Sequence, residues 1–174
     1  MKAPLPENEA DRLKALYWYE ILDSVSEQVF DDLALAASQV CGTPIAMITL
    51  IAENRQWFKS KIGLSVNETS RDLSFCAHAI LKPGVFEVKD ALKDPRFANN
   101  PLVATHQIRY YVGAPLVTSD GYALGTLCVL DRVPRELKPE QKEVLKVLSR
   151  IAGNLFKQRR YILEMERAAK KAAG

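Results

Sequence analysis

Residues 113–130 read Gly113-Ala114-Pro115-Leu116-Val117-Thr118-Ser119-Asp120-Gly121-Tyr122-Ala123-Leu124-Gly125-Thr126-Leu127-Cys128-Val129-Leu130. An Asp-Gly step between two apolar runs is a strong signal for a β-hairpin. In the second run both side-chain parities are apolar or small. That pattern belongs to a strand covered on both faces, as a central strand beneath helices is. Gly113 and Gly125 mark positions where another backbone or a ligand can come close. A sheet covered in this way makes the fold class mixed α/β.

Working upstream, Ile45-Ala46-Met47-Ile48-Thr49-Leu50-Ile51 is too short and too β-branched for a helix and predicts a buried strand. Glu53-Asn54-Arg55 turns it into residues 56–62, giving a second hairpin. Two helices precede these strands. Leu13, Leu16 and Tyr17 recur at helical steps within residues 8–20, and the helix is expected to end near Leu22. The second is expected to start at Ser26 as N-cap, to present Val29, Phe30, Leu33, Ala36, Ala37 and Val40 on one face, and to stop at Gly42. Between the hairpins, residues 70–111 are irregular. Ser74 caps a short helix there, residues 85–88 form a short strand, and Asp94-Pro95 sets a turn. A pocket is expected in this insert. Downstream, Pro139 opens a long helix. Its residues 144–156 cover the sheet, while Leu148, Ile151, Leu155, Gln158, Ile162, Met165 and Ala169 follow a coiled-coil seam that outruns any single core. An apolar stripe out there needs a partner, so self-association through this helix is expected.

The 174 residues, 48% of them apolar and 26% charged, suffice for one globular domain without a disulfide or zinc staple, since a chain this long buries about 70% of its unfolded surface. Cys41, Cys76 and Cys128 are widely spaced and odd in number, which fits neither a disulfide framework nor a zinc ribbon; they are expected as small core residues. The net charge of +3 hides a gradient, from −5 over residues 1–32 through +1 over 33–131 to +7 over 132–174. The basic residues of the last segment lie among Leu, Ile and Val at helical spacing without interleaved aromatics. That is a solvated helix face and no nucleic-acid surface. The sequence shows no membrane span and no signal segment, and a cytoplasmic location is expected.

Catalytic patterns are sparse. Cys76 and His78 are two apart and diverge on a helix, which argues against a thiolate–imidazole pair. Two histidines and no clustered carboxylates offer little to a metal. Phosphate-cradling and dinucleotide-binding glycine loops are absent. What remains is binding chemistry. Arg71 and Arg96 either fork onto a carboxylate or phosphate ligand or pair internally with Asp72, Asp90 or Asp94. Phe75, Phe97, Tyr110 and Tyr111 either stack on a planar ligand or fill the core. His78 either bonds a ligand or is satisfied within its helix.

The segments L-P-E-N-E-A-D-R-L-K-A-L at 5–16, I-L-D at 21–23, R-Q-W-F-K-S-K-I-G-L at 55–64, S-F-C-A-H-A-I-L at 74–81, D-P-R-F-A-N-N-P-L-V at 94–103, R-Y-Y-V-G-A-P-L at 109–116 and G-Y-A-L-G-T-L-C-V-L-D at 121–131, in this order, resemble the GAF domain family. They are most similar to the bacterial sensory GAF domains placed before histidine kinases and diguanylate cyclases. The resemblance implies a central antiparallel sheet of five or six strands, with N- and C-terminal helices on one face and short helices and loops forming a pocket on the other. It implies a domain over residues 1–158, with 159–174 extending the exit helix. It further implies a homodimeric sensor that binds a small molecule and relays the signal to a kinase or cyclase output. Side chains expected at the pocket are Arg71, Phe75, Cys76, His78, Asp90, Arg96, Phe97, Tyr110, Gly113 and Cys128; Leu148, Ile151, Leu155, Ile162 and Met165 are expected at the dimer helix. The ligand or cofactor stays open, because the family's ligands vary. The chain is expected not to be an enzyme. Two alternatives stand beside this: a free methionine sulfoxide reductase, although the cysteine spacing departs from that group's pattern, and a ligand-free dimerisation module. Ala77 between Cys76 and His78 departs from the Cys-His pair of bilin photosensors, and the N-K-F-D-E signature of cyclic-nucleotide phosphodiesterases is absent.

Overall fold

A computed structural model describes residues 2–173. Helices α1 (Glu9–Trp18) and α2 (Gln28–Cys41) precede strands β1 (Ile45–Ile51), β2 (Arg55–Ile62) and β3 (Glu68–Ser70). A 3-10 turn (Arg71–Leu73), α3 (Phe75–Ala79), β4 (Phe86–Val88) and α4 (Pro101–Thr105) form the insert. Strands β5 (Tyr110–Val117) and β6 (Ala123–Asp131) follow, and α5 (Pro139–Ala172) ends the described chain. The six strands form one antiparallel sheet in the order β3-β2-β1-β6-β5-β4. β6, which read as covered on both faces, and β1, which read as a buried strand, are its centre. Their backbones approach closely at Gly125, where a Cβ would lie 1.8 Å from the Thr49 carbonyl oxygen.

Alternation along the strands splits the core in two. On one face Ala46, Ile48, Leu50, Leu127 and Val129 pack under Leu16, Phe30, Ala37, Leu145, Ala152 and Phe156. α2 therefore shares this layer with the first and last helices. On the other face Ile45, Met47, Ile51, Cys128 and Leu130 pack under Phe75, Cys76, Phe97 and Val103 of the insert.

Several boundaries differ from expectation. α1 stops at Trp18, and Glu20 and Asp23 take left-handed backbone angles (φ 48° and 59°) that break any further helix. Ser26 is no cap; Glu27 precedes α2 without a capping side chain, and the Ser26 hydroxyl bonds Asp31. Gly42 does end α2, in the left-handed region. The buried stripe of α2 is Phe30, Leu33, Ala34, Ala37 and Cys41, so Val29 and Val40 stand outside it, exposed. At residue 158, where the extension of the exit helix was expected to begin, α5 runs on unbroken to Ala172. In α5 the sheet-facing stripe is Leu145, Ser149, Ala152 and Phe156. Leu148 and Leu155 flank it, while Ile151, Ile162 and Met165 are exposed. Arginines then tie the helix back to α1: Arg159 donates to the Tyr19 and Glu20 carbonyls, and the guanidinium groups of Arg160 and Arg167 both lie on the Trp18 ring.

Candidate functional site in the insert layer

The insert builds a small cavity against the sheet. Ser74 fixes α3 by accepting the Ala77 N–H at 3.0 Å and donating to the Gln56 side chain. Asn100 fixes α4 by accepting the Leu102 N–H at 2.9 Å and donating to the Leu73 carbonyl. Between them, Met47, Phe58, Phe75, Cys76, Ile108, Tyr111 and Leu130, with Gln56, Thr69 and His106, enclose about 30 Å³ in which the centre of a water molecule can sit. That is far below the roughly 300–1,000 Å³ of a metabolite pocket.

Behind the cavity lies a polar knot in an apolar layer. The Tyr111 hydroxyl donates to Cys76 Sγ at 3.3 Å, Cys76 Sγ lies 3.8 Å from Cys128 Sγ, and the Thr49 and Thr126 hydroxyls bond each other at 3.3 Å. All five side chains are buried. Burial opposes ionisation of Cys76, but hydrogen bonds from Cys128, Thr126, Thr49 and Tyr111 outweigh it and hold this thiol below the ordinary range. Burial and the neighbouring Cys76 push Cys128 the other way.

The expected site residues divide. Phe75 and Cys76 line the cavity, and Cys128 lies directly behind Cys76. Phe97 stacks on Phe75 with ring centres 4.1 Å apart, and both are core, while the half-buried His78 meets Phe97 edge-on at 4.8 Å. Tyr110 is on the opposite face, where its hydroxyl donates to Glu87 at 2.7 Å; its neighbour Tyr111 takes the cavity position. Strand parity is the reason, since Tyr111 and Gly113 share a face and Tyr110 does not. Gly113 leaves no ligand space, because a Cβ there would lie 2.2 Å from the Tyr111 hydroxyl oxygen.

The charged candidates are consumed in ion pairs. Arg71 is buried and donates to Glu9 at 2.5 Å and to the Ala52 carbonyl at 3.1 Å, so its partner is none of the three acids near it in sequence. Arg12, also buried, grips the same Glu9 with two bonds of 2.8 Å. Burial opposes the charge on Glu9, but the two guanidinium groups prevail and lower its pKa to about 2. Asp90 holds Arg109 through two 3.0 Å bonds. Asp94 holds Arg96 at 2.9 and 2.5 Å, and the same guanidinium lies over Phe86 and Phe97. Sequence reasoning missed the cavity walls Met47, Gln56, Phe58 and Thr69, although the alternating pattern of the first hairpin carried the signal for three of them.

The comparisons agree with this geometry. A cyclic di-GMP phosphodiesterase of Pseudomonas aeruginosa is 47% identical over 133 residues, 76% of this chain. The chain spans only 23% of that relative's length. The PixJ GAF domain of Thermosynechococcus elongatus, in its blue-light-absorbing form, superposes with a TM-score of 0.65 at 12% identity, covering 90% of this chain and 95% of that one. The free methionine-R-sulfoxide reductase of Neisseria meningitidis, solved with its substrate, gives 0.64 at 17% identity, covering 93% and 98%. The expectation that the chain is not an enzyme is corrected by the first of these relatives, which is 47% identical over the matched residues and named as a phosphodiesterase, and so ties the chain to an enzyme-related protein. The family model described as GAF domain matches residues 26–155, and the chain belongs to the GAF domain family.

Proposed function

We propose that the chain is the regulatory GAF unit of a cyclic di-GMP-degrading signalling enzyme, and that it passes changes in its insert layer to the output through paired α5 helices. The observation that carries this is α5 itself. It rests on the sheet through Leu145, Ala152 and Phe156, then continues to Ala172 with Ile151, Ile162 and Met165 exposed. A helix rigid with the sheet at one end and apolar at the other is suited to transmit rotation or shift to a partner helix. The 47% identity to a cyclic di-GMP phosphodiesterase supports hydrolysis as the controlled output in place of the kinase or cyclase expected from sequence. Residues 159–174 act as the relay segment. A cytoplasmic setting is part of this reading and suits its three free thiols.

The size of the cavity favours a second reading at the input end. About 30 Å³ accommodates water-sized species, well short of a nucleotide or tetrapyrrole, so the module can act through its helices without a metabolite. Sedimentation of residues 1–174 against a truncation after Lys157, with native mass spectrometry and an absorbance spectrum, tests both readings. A concentration-dependent dimer that the truncation abolishes is the expected result. A monomer at high concentration for both proteins overturns the relay, and a co-purified small molecule overturns the ligand-free input.

A further inference from the structure

We propose that Cys76 and Cys128 are a redox-active pair, which hydrogen peroxide entering the insert cavity converts reversibly to a disulfide that ties α3 to β6. The inference stands apart from the regulatory reading, since it concerns thiol chemistry within this chain alone.

Three independent features converge on these sulfurs. The first is proximity. The Sγ atoms lie 3.8 Å apart, on elements 52 residues distant in sequence, and closing to the roughly 2.05 Å of a disulfide requires a movement of about 1.8 Å. The second is access. Cys76 borders the cavity whereas Cys128 does not, so an oxidant arriving there meets Cys76 first. The space is narrow, about 30 Å³ for the centre of a water molecule, which admits hydrogen peroxide more readily than bulky organic peroxides or sulfoxides. The Thr69 hydroxyl on the cavity wall has no hydrogen-bond partner among the described residues and can hold such a guest. The third is activation. Tyr111, Thr49 and Thr126 surround Cys76 and favour its thiolate, which is the reacting species, while Cys128 stays a thiol. Cys41, on the other face of the sheet, has neither a cavity nor a thiol neighbour, and burial raises its pKa to about 11.

The steps balance. The Cys76 thiolate attacks one peroxide oxygen, the O–O bond breaks, and the departing hydroxide takes up a proton to leave as water. Cys76 is then a sulfenic acid. The Cys128 sulfur attacks the Cys76 sulfur, an S–S bond forms as the S–O bond breaks, and the hydroxide leaves with the Cys128 proton as a second water. Two thiols have lost two electrons and the peroxide has gained them. A dithiol reductant reverses the change by exchange. Oxidation draws α3, with Ser74 and Phe75 at its start, onto the central strands and alters the cavity they line.

The test treats the folded chain with hydrogen peroxide, alkylates it after unfolding, and maps the peptides without reduction. The expected result is a mass loss of two hydrogens, a cross-linked Cys76–Cys128 peptide that dithiothreitol restores, and Cys41 alkylated throughout. In Cys128→Ser, dimedone added as the oxidised protein is unfolded is expected to trap a sulfenic acid at Cys76; in Cys76→Ser, Cys128 is expected to stay reduced. Tyr111→Phe keeps both sulfurs and is expected to slow the cross-link, giving a readout if a serine variant folds poorly. Recovery of both thiols intact from peroxide-treated wild-type protein overturns the pair. Oxidation by cumene hydroperoxide as fast as by hydrogen peroxide overturns entry through the cavity.

Discussion

Glu9 sits between two buried arginines, Arg12 and Arg71, and is the carboxylate that both of them grip. Removing its charge while leaving both guanidinium groups buried is costly, so Glu9→Gln is expected to destabilise the fold by about 3–5 kcal/mol, read from the urea midpoint at neutral pH. The pH dependence has a definite sign. With a folded pKa of about 2 against an ordinary value of 4.5, the contribution of Glu9 is complete above pH 4.5 and is lost as the pH falls toward 2. A urea midpoint in wild type that declines across that window, with a flatter decline in Glu9→Gln, checks it; identical declines would remove Glu9 as the cause. The Glu9–Arg71 half of this cluster was not legible in the sequence, because it spans 62 residues and obeys no periodicity. Asp72, Asp90 and Asp94 were the internal partners weighed for Arg71 and Arg96; Asp94 does hold Arg96, while Asp72 and Asp90 hold Lys2 and Arg109. The tyrosine position was misread: Tyr110 was expected at the pocket beside Gly113, but the two lie on opposite faces of the strand, and Tyr111 takes that place. Gly125 was legible as a point of close approach. Gly125→Ala places a Cβ 1.8 Å from the Thr49 carbonyl oxygen, and neither central strand can yield without breaking pairing. A loss of at least about 1–3 kcal/mol is expected from thermal or urea unfolding.

At the scale of elements, helix α5 carries the clearest division between what sequence shows and what it hides. Its apolar repeat was readable because Leu148, Ile151, Leu155, Ile162 and Met165 recur at coiled-coil intervals, although Leu148 and Leu155 pack against the sheet's core. Its fastening was not. Arg159 reaches the carbonyls that end α1, Arg160 pairs with Asp120 of the β5–β6 turn, and Arg160 and Arg167 share the Trp18 ring. A basic run read as a solvated face therefore includes three arginines that set the direction of the helix. This leaves the apolar side free: Ile162 is 56% and Met165 72% exposed. The double variant Ile162→Glu, Met165→Glu puts like charges at facing seam positions of a pair, and opposes pairing without touching the sheet. Sedimentation equilibrium is expected to show loss of the dimer, with the midpoint of the monomer within about 0.5 kcal/mol of wild type, as for exposed sites. A dimer that survives both charges would place the interface elsewhere.

At the scale of the molecule, one sheet separates two apolar layers, and each layer is closed by parts of the chain far from the other's. The two hairpins were legible because each announced itself by turn residues, and the covering of β6 because it is apolar or small on both parities, whereas the strand order was not read from the sequence. The composition of the insert layer was not legible either, since α4 and β3 are too short for periodicity and are held by caps and side-chain bonds such as Asn100 to Leu73. The shared strands make a prediction about cooperativity. Phe156 closes the helical layer by stacking on Phe30 with ring centres 5.6 Å apart, and Phe97 closes the insert layer by stacking on Phe75. Each truncation to Ala is expected to cost about 3–5 kcal/mol, because a buried ring is lost and its neighbours relax only in part. Both layers use alternate residues of the same central strands, so neither can melt while the other keeps its floor. Each variant should therefore lower one common transition, seen alike by far-UV circular dichroism and by the fluorescence of Trp57 on β2. If Phe97→Ala instead melts the insert in a separate early step while the Trp57 signal holds, the sheet is supported by its helical layer alone, and the cavity with its two thiols belongs to a unit that opens independently.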